Sequence, residues 1–149
     1  MSSPELFFDS SALFAGIASS SGASRALLLL AELGLVSITV SEQVVAETER
    51  AVARKMARAL PDLREAIRAT NLHIVQDPAA AEVAAHAELI SHQADVPILI
   101  AAMQVKTDYL VTLNRRHFLD DPAVARRSGL RIGTPGDALG WVRQRLTER

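Results

Sequence analysis

Short apolar runs alternate with longer stretches of helical periodicity along the whole chain, and this alternation restricts the fold more than any other feature. Five runs have the length and apolar character of buried strands. They lie at residues 5–9, 36–40, 72–75, 108–112 and 130–134. Strands separated by helices favour a largely parallel sheet, because each parallel pair needs a crossover connection. We therefore predict an α/β fold with helices on both faces of a central, largely parallel sheet of about five strands.

The segments between these runs carry helix signals. Ser41 is placed to cap the helix after the second strand, Gly34 to end the helix before it, and Thr134 with Pro135 to begin the last helix. The predicted helices cover residues 10–18, 24–34, 42–60, 61–70, 77–92, 95–105 and 134–146. No linker or repeat interrupts this order. The 149 residues are thus expected to form one domain, 1–149.

Composition narrows the class of protein further. The formal net charge of −1 argues against wholesale binding of polyanions, although it permits a local basic patch. The chain has no cysteine, which fits a reducing compartment and excludes a thiol nucleophile. No run reaches the ~18 apolar residues of a spanning helix, and no signal-peptide pattern stands at the N-terminus. We expect a soluble, cytoplasmic protein with no membrane partner.

Polar side chains cluster where the predicted strands end, which is where open α/β folds bind ligands. Asp9 ends the first strand, and Asn114 follows the fourth. Glu47 and Asp95 lie early in helices that leave the same edge. Three hydroxyl residues stand beside them: Ser10, Ser11 and Thr112.

Each acid also has a purely structural explanation. Asp9 and Asp95 could be helix N-caps, a common role that contributes about 1 kcal/mol. Glu47 borders the apolar stripe of its predicted helix, where a carboxylate is partly desolvated and needs a partner. Arg50 or Arg54 could provide that partner through a salt bridge.

The convergence of three acids is harder to explain by structure alone. Carboxylates at close range raise one another's pKa values unless a cation neutralises them. Mg²⁺ prefers carboxylate oxygens and retained waters, and it activates water for attack on a phosphodiester. A dinucleotide-binding module and a haloacid-dehalogenase-type phosphatase both fit less well, because the segment after the first strand lacks G-x-G-x-x-G and a second Asp two residues beyond Asp9.

Four segments, in this order and at these separations, resemble the PIN-domain family of metal-dependent ribonucleases, which includes VapC-type toxins. The resemblance extends from Leu6 to the C-terminal helix and implies a three-layer α/β/α PIN-like fold. The segments are FFDSSALF, VSEQVVAETER, ADVPILIAAMQVKTDYLVTLNRRHF and IGTPGDAL.

The resemblance also implies which residues form the site. Asp9, Glu47 and Asp95 match three acids of the family and would be the catalytic and metal-binding carboxylates. Thr112 matches the family's Thr at the end of the fourth strand, but Asn114 stands where a fourth acid is common. An amide oxygen can bind a hard cation or its water but supplies no charge, so a second ion would bind more weakly.

The activity implied is hydrolysis of single-stranded RNA by an endoribonuclease that uses one or two Mg²⁺ or Mn²⁺ ions. In this scheme Ser10, Ser11 and Thr112 orient carboxylates or metal waters. Arg115 and Arg116 are the candidates for contacts with the RNA phosphates, and Asp120 or Asp121 might supply charge that Asn114 lacks. His117 could be a turn residue or a phosphate contact, whereas His73, His86 and His92 show no ligand spacing with one another and are interpreted as structural.

The family further implies partners: an antitoxin protein that would neutralise a toxin, and a second copy of the chain in a homodimer. One alternative remains open. A PIN-like fold that has lost useful metal affinity through Asn114 could serve as a catalytically weak or inactive module that binds RNA or protein.

Overall fold

In the computed structural model, which describes residues 3–148, a five-stranded parallel sheet forms the centre of the chain. The strands are arranged in the order β3-β2-β1-β4-β5, and every neighbouring pair is parallel. Their bounds are β1 Glu5–Phe8, β2 Ser37–Ser41, β3 His73–Val75, β4 Tyr109–Val111 and β5 Ile132–Gly133. The predicted fold class is therefore confirmed.

Eight α-helices flank the sheet in the described chain. α1 packs against α2 and α3, and α2 also packs against α8, whereas α6 contacts α5 and α7. Their bounds are α1 Ser10–Ala18, α2 Ala23–Glu32, α3 Glu42–Lys55, α4 Leu60–Ala69, α5 Ala80–Ala85, α6 Val96–Gln104, α7 Ala123–Ser128 and α8 Pro135–Thr147. Ser41 caps α3 through the Val44 N–H, and Thr134 caps α8 through the Asp137 N–H, as predicted.

The strand register decides which residues meet at the carboxyl edge of the sheet. Phe8 of β1 pairs with Val111 of β4, so the next residues, Asp9 and Thr112, leave the sheet side by side. The Asp9 N–H donates to the Val111 carbonyl at 3.1 Å, which extends the pairing by one step. At the opposite edge, Asp108 accepts a hydrogen bond from the Glu5 N–H at 2.8 Å.

The core follows from the continuous apolar character of β1 and α6. Leu6, Phe7 and Phe8 are fully buried, as expected for a central strand covered on both faces. In α6, six of nine residues are buried, from Val96 to Ala102, which is why this helix has no polar face.

Two predicted helix lengths are wrong. The helix predicted over 77–92 is confined to Ala80–Ala85 and buries no residue. Leu89 and Ile90, by contrast, are both buried, so these apolar side chains reach the core from outside the regular helix. The helix predicted over 42–60 ends at Lys55, and a 3-10 turn at Ala57–Ala59 leads into α4.

Among the described residues, no single helix is both long and apolar enough to cross a membrane. The pair formed by α1 and α2 would satisfy the criterion together, but the two helices meet at a bend of 88°.

Candidate metal centre

Asp9 lies at the start of α1 with its carboxylate almost fully enclosed. Its side chain is the predicted N-cap: Oδ1 accepts a hydrogen bond from the Ala12 N–H at 2.9 Å and another from Ser11 Oγ at 2.6 Å. Oδ2 accepts from Thr112 Oγ1. Only 3% of the residue is exposed, and both of its carboxylate oxygens accept hydrogen bonds.

Burial raises the pKa of Asp9 above its usual value of 3.8, because a charged carboxylate is costly to keep away from water. The hydrogen bonds from Ser11, Thr112 and Ala12 oppose this effect, and the negative charge of Asp95 adds to it. Two carboxylates that repel each other in a buried location form an environment in which a bound cation is stabilising.

The two hydroxyl residues that hold Asp9 also hold the chain after β4. Thr112 Oγ1 accepts from the Asn114 N–H at 2.9 Å, and Ser11 Oγ accepts from the Leu113 N–H at 2.9 Å. Both hydroxyls donate to Asp9, so α1 and the segment after β4 are connected through one carboxylate. This network gives Ser11 and Thr112 the orienting contacts expected of them.

Asp95 lies at the N-cap position of α6, but its side chain does not cap the helix, because no N–H of α6 donates to it. Its Oδ2 instead lies 2.8 Å from Nδ1 of His117 and 3.1 Å from Nδ1 of His92. The carboxylate side chain is only 12% exposed, and the two imidazole rings stack with their centroids 4.0 Å apart. The structural explanation that suits Asp9 therefore does not apply to Asp95.

Asn114 is held by the π-helical turn Arg115–Leu119 that follows it. Its Oδ1 accepts from the His117 N–H at 3.1 Å, and its Nδ2 lies 2.8 Å from His117 Nδ1. The amide is thus close to Asp95 through His117, while its oxygen already has a partner.

Glu47 is half-buried on α3, as its position beside the apolar stripe predicts. Its partner is Gln43, whose Nε2 donates to Glu47 Oε2 at 3.2 Å. The same Nε2 donates to the carbonyl of Ala94 at 2.8 Å, directly before Asp95. Within residues 3–148, Glu47 forms no salt bridge with Arg50 or Arg54.

A groove between α1 and α3 connects Glu47 with the residues around Asp9. Ser10, Phe14, Glu47, Lys55 and Leu113 are among the residues that line it. The Lys55 ammonium lies 5.3 Å from the centroid of the Phe14 ring, so this groove contains a cation and an aromatic ring as well as Glu47.

Arg115 and Arg116 are exposed and form no salt bridge with any described residue. They face different surroundings. Arg116 lines a pocket with His92 and His117. Arg115 lies near the start of α8, where hydrogen bonds with Thr134 lower the pKa of Asp137 and the charge of Arg115 adds to that effect.

In the part of the chain that the structure describes, one group of potential ligand residues has its donor atoms within 4.8 Å of one another: His92, Asp95 and His117. Asp9 and Glu47 lie outside this group, so the three predicted acids are neighbours rather than a closed set of ligands. Sequence reasoning missed His92 and Gln43 and left His117 without a contact to Asp95. The spacing of His92 three residues before Asp95 was the available signal.

A parallel sheet with buried acids at its carboxyl edge defines the class of α/β proteins that bind ligands at strand ends. Within this class, the family model of the PIN domain matches residues 5–116, which is well over half of the chain. The chain belongs to the PIN domain family, a family of nucleases. No curated protein matches the sequence.

Solved structures share the fold at low sequence identity. The Pyrobaculum aerophilum protein PAE2754 is 17% identical with a TM-score of 0.65, and the alignment covers 95% of this chain and 90% of that one. VapBC2 from Rickettsia felis, solved bound to a DNA fragment from its promoter, is 20% identical with a TM-score of 0.62, covering 87% and 98%.

Proposed function

We propose that the protein is a Mg²⁺- or Mn²⁺-dependent endoribonuclease that hydrolyses phosphodiester bonds of single-stranded RNA. The observation that carries this proposal is the buried Asp9 beside Asp95 at the carboxyl edge of the sheet, in a chain of the PIN domain family. We assign Asp9, Glu47 and Asp95 as the catalytic and metal-binding residues. The choice of RNA as substrate rests on the family resemblance.

The donor set suits a hard divalent cation. Asp9 is buried with a raised pKa, the negative charge of Asp95 adds to that shift, and Glu47 lines the groove that also contains Ser10 and Ser11, so a cation would relieve the repulsion between these acids. When bound, such an ion supplies Lewis-acid chemistry: it activates a water molecule and balances charge on the leaving oxygen.

The protein's own residues would position the carboxylates and the substrate. Ser11 and Thr112 fix the orientation of Asp9 through its two oxygens. Ser10 lines the groove next to them, where it can hydrogen-bond water or phosphate. Arg115 and Arg116 are free of described ion pairs and would bind the RNA backbone on the two sides of the turn after Asn114.

The role of Glu47 is tested by calorimetry. We expect Glu47→Gln to weaken Mn²⁺ binding at least about tenfold, because it removes one charge from the set of acids while keeping the contact with Gln43. The matched control is Glu65→Gln, an exposed acid on α4 that pairs with Arg68. Equal affinities for the native protein and Glu47→Gln would remove Glu47 from the metal site.

One observation favours a second candidate function, a catalytically weak module that binds RNA or protein. Asn114 Oδ1 accepts the His117 N–H, so the amide has less to offer a second cation than a free carboxylate would. We therefore propose one ion at the three acids, with Asn114 as a weak additional ligand at most. RNA binding without cleavage in either Mg²⁺ or Mn²⁺ would favour the inactive module.

We further propose a toxin role in the cytoplasm, with an antitoxin protein as partner. The VapBC2 structure of Rickettsia felis, whose fold this chain shares, supports the proposal. An adjacent reading frame for a small protein that co-purifies with this chain is the expected finding. A gene without such a neighbour would favour a stand-alone nuclease.

A homodimer is also proposed, and exposed leucines on one side of the molecule support it. Leu29 on α2, Leu33 at its end and Leu35 are 47%, 73% and 37% exposed. Burial of this surface against a second copy would stabilise a dimer through the hydrophobic effect. Sedimentation velocity should show a dimer for the native chain and a monomer for Leu33→Lys, and a native monomer at all concentrations would contradict the proposal.

A further inference from the structure

Two imidazole rings converge on one oxygen of Asp95 from separate segments of the chain. His92 lies just before the 3-10 turn Gln93–Asp95, and His117 lies in the turn after β4. Their Nδ1 atoms are 3.1 Å and 2.8 Å from Asp95 Oδ2. Because α6 and β4 separate the two histidines in sequence, their approach to the same oxygen is a product of the tertiary fold.

This group has a different chemistry from the three acids. Mg²⁺ binds carboxylate oxygen and water, whereas two imidazole nitrogens with one carboxylate suit ions such as Zn²⁺, Co²⁺ and Ni²⁺. We propose that His92, Asp95 and His117 form a binding site for a divalent ion of this nitrogen-preferring class, with Zn²⁺ as its representative. The site shares Asp95 with the proposed nuclease centre but does not depend on nuclease activity.

The hydrogen bonds of His117 show what must change before an ion binds at this position. The Asn114 amide is oriented by the His117 N–H, which donates to Oδ1, so its NH₂ group faces His117 Nδ1 at 2.8 Å. An NH₂ group next to Nδ1 requires an unprotonated nitrogen there, while the Asp95 carboxylate on the same atom requires an N–H. One nitrogen cannot satisfy both, and because Nδ1 has a single lone pair, an ion that binds this nitrogen must displace the Asn114 NH₂ group from it.

The distances are compatible with ligation after small side-chain movements. Two donor atoms at about 2.1 Å from a common ion and at a tetrahedral angle are separated by about 3.4 Å, which is somewhat more than the separations of the two Nδ1 atoms from Asp95 Oδ2. The two rings are stacked at an interplanar angle of 17°, so their in-plane lone pairs cannot both point at one ion. Binding must open the stack, and His92, with half of its side chain exposed, is the ring that is free to rotate.

The residues around Asp95 allow an ion at the two histidines without occupying the proposed nuclease centre. A surface pocket lined by His92, Arg116, His117 and Asp121 gives access from solvent. Asp95 Oδ1 has no hydrogen bond to any described residue. This second oxygen can therefore face the ion of the three acids while Oδ2 binds at the histidine side.

Cobalt titration tests the site directly, since Co²⁺ is paramagnetic and binds the same donors as Zn²⁺. In the native protein, Co²⁺ should shift the imidazole C–H resonances of two of the four histidines. His92→Ala should lower the Co²⁺ affinity at least about tenfold and leave one shifted histidine. His73→Ala is the matched control, because His73 is an exposed residue of β3 outside the site, and it should bind Co²⁺ as the native protein does.

Asp9→Asn separates this proposal from the proposed nuclease. We expect Asp9→Asn to keep the two shifted histidines while it loses metal-dependent RNA cleavage. Equal Co²⁺ affinity in His92→Ala and the native protein, or shifts confined to His73 and His86, would overturn the histidine site and leave the nuclease proposal intact. If His92→Ala loses Co²⁺ binding and the native protein cleaves RNA in no divalent ion, the histidine site is supported and the nuclease proposal is rejected.

Discussion

Replacement of Asp95 by asparagine is expected to reduce metal-dependent RNA cleavage by more than about 100-fold, the upper end of the loss seen when a residue that merely orients a metal ligand is removed. Asp95 is the acid that lies between the Asp9 network and the two histidines, so its charge affects both parts of the site. The substitution keeps the size of the side chain and one acceptor oxygen. Gel analysis of a labelled single-stranded RNA measures the effect.

Asp108→Asn is the matched control for Asp95→Asn. It makes the same chemical change at the opposite edge of the sheet, where Asp108 accepts a hydrogen bond from the Glu5 N–H. We expect cleavage by Asp108→Asn to remain close to that of the native protein. Equal cleavage by Asp95→Asn and the native chain would exclude Asp95 from the chemistry.

Asp9→Asn is expected to abolish cleavage and, in the metal-free protein, to raise the Tm at neutral pH. The pKa of Asp9 is raised in the folded chain by burial, so the folded state holds this proton more tightly than the unfolded state does. The resulting stability is fully present below the unfolded pKa of 3.8 and is lost as the pH rises through the raised folded pKa. A neutral asparagine avoids that loss.

Thermal unfolding of native and Asp9→Asn protein with a chelator, measured from pH 3 to pH 8, checks this expectation. Each kcal/mol of stabilisation raises the Tm by about 2–4 °C in a domain of this size. The difference between the two proteins should be largest at neutral pH and should disappear in acid, where the native carboxyl is protonated. A lower Tm for Asp9→Asn at neutral pH would mean that the hydrogen bonds from Ser11 and Thr112 outweigh the cost of the buried charge.

The sequence was sufficient to predict the sheet because its signals are local. The apolar runs that became β1, β2 and β4 have no competing interpretation, and the caps at Ser41 and Thr134 form as expected. The helix predicted over 77–92 is too long because helix propensity says nothing about where Leu89 and Ile90 pack, and both are buried outside the helix, after its end at Ala85. Such a choice is decided by packing between distant segments.

The candidate site likewise has features that local sequence signals predict and features that depend on the tertiary fold. The cap at Asp9 and the hydroxyl contacts of Thr112 follow from the position of each residue at the end of a strand. The approach of His92 and His117 to Asp95 does not, because it depends on how α6 and β4 bring separate turns together. Periodicity cannot report the rotation of a side chain, so Gln43 was likewise missed as the partner of Glu47.

The central claim is that the purified protein cleaves single-stranded RNA only with a divalent cation, and one assay tests it most directly. Labelled single-stranded RNA is incubated with the native protein in Mn²⁺, in Mg²⁺ and with excess EDTA. We predict endonucleolytic products in both ions and intact RNA with EDTA. Equal cleavage with and without EDTA, or intact RNA in both ions, would contradict the assignment of Asp9, Glu47 and Asp95 as a metal-dependent ribonuclease centre.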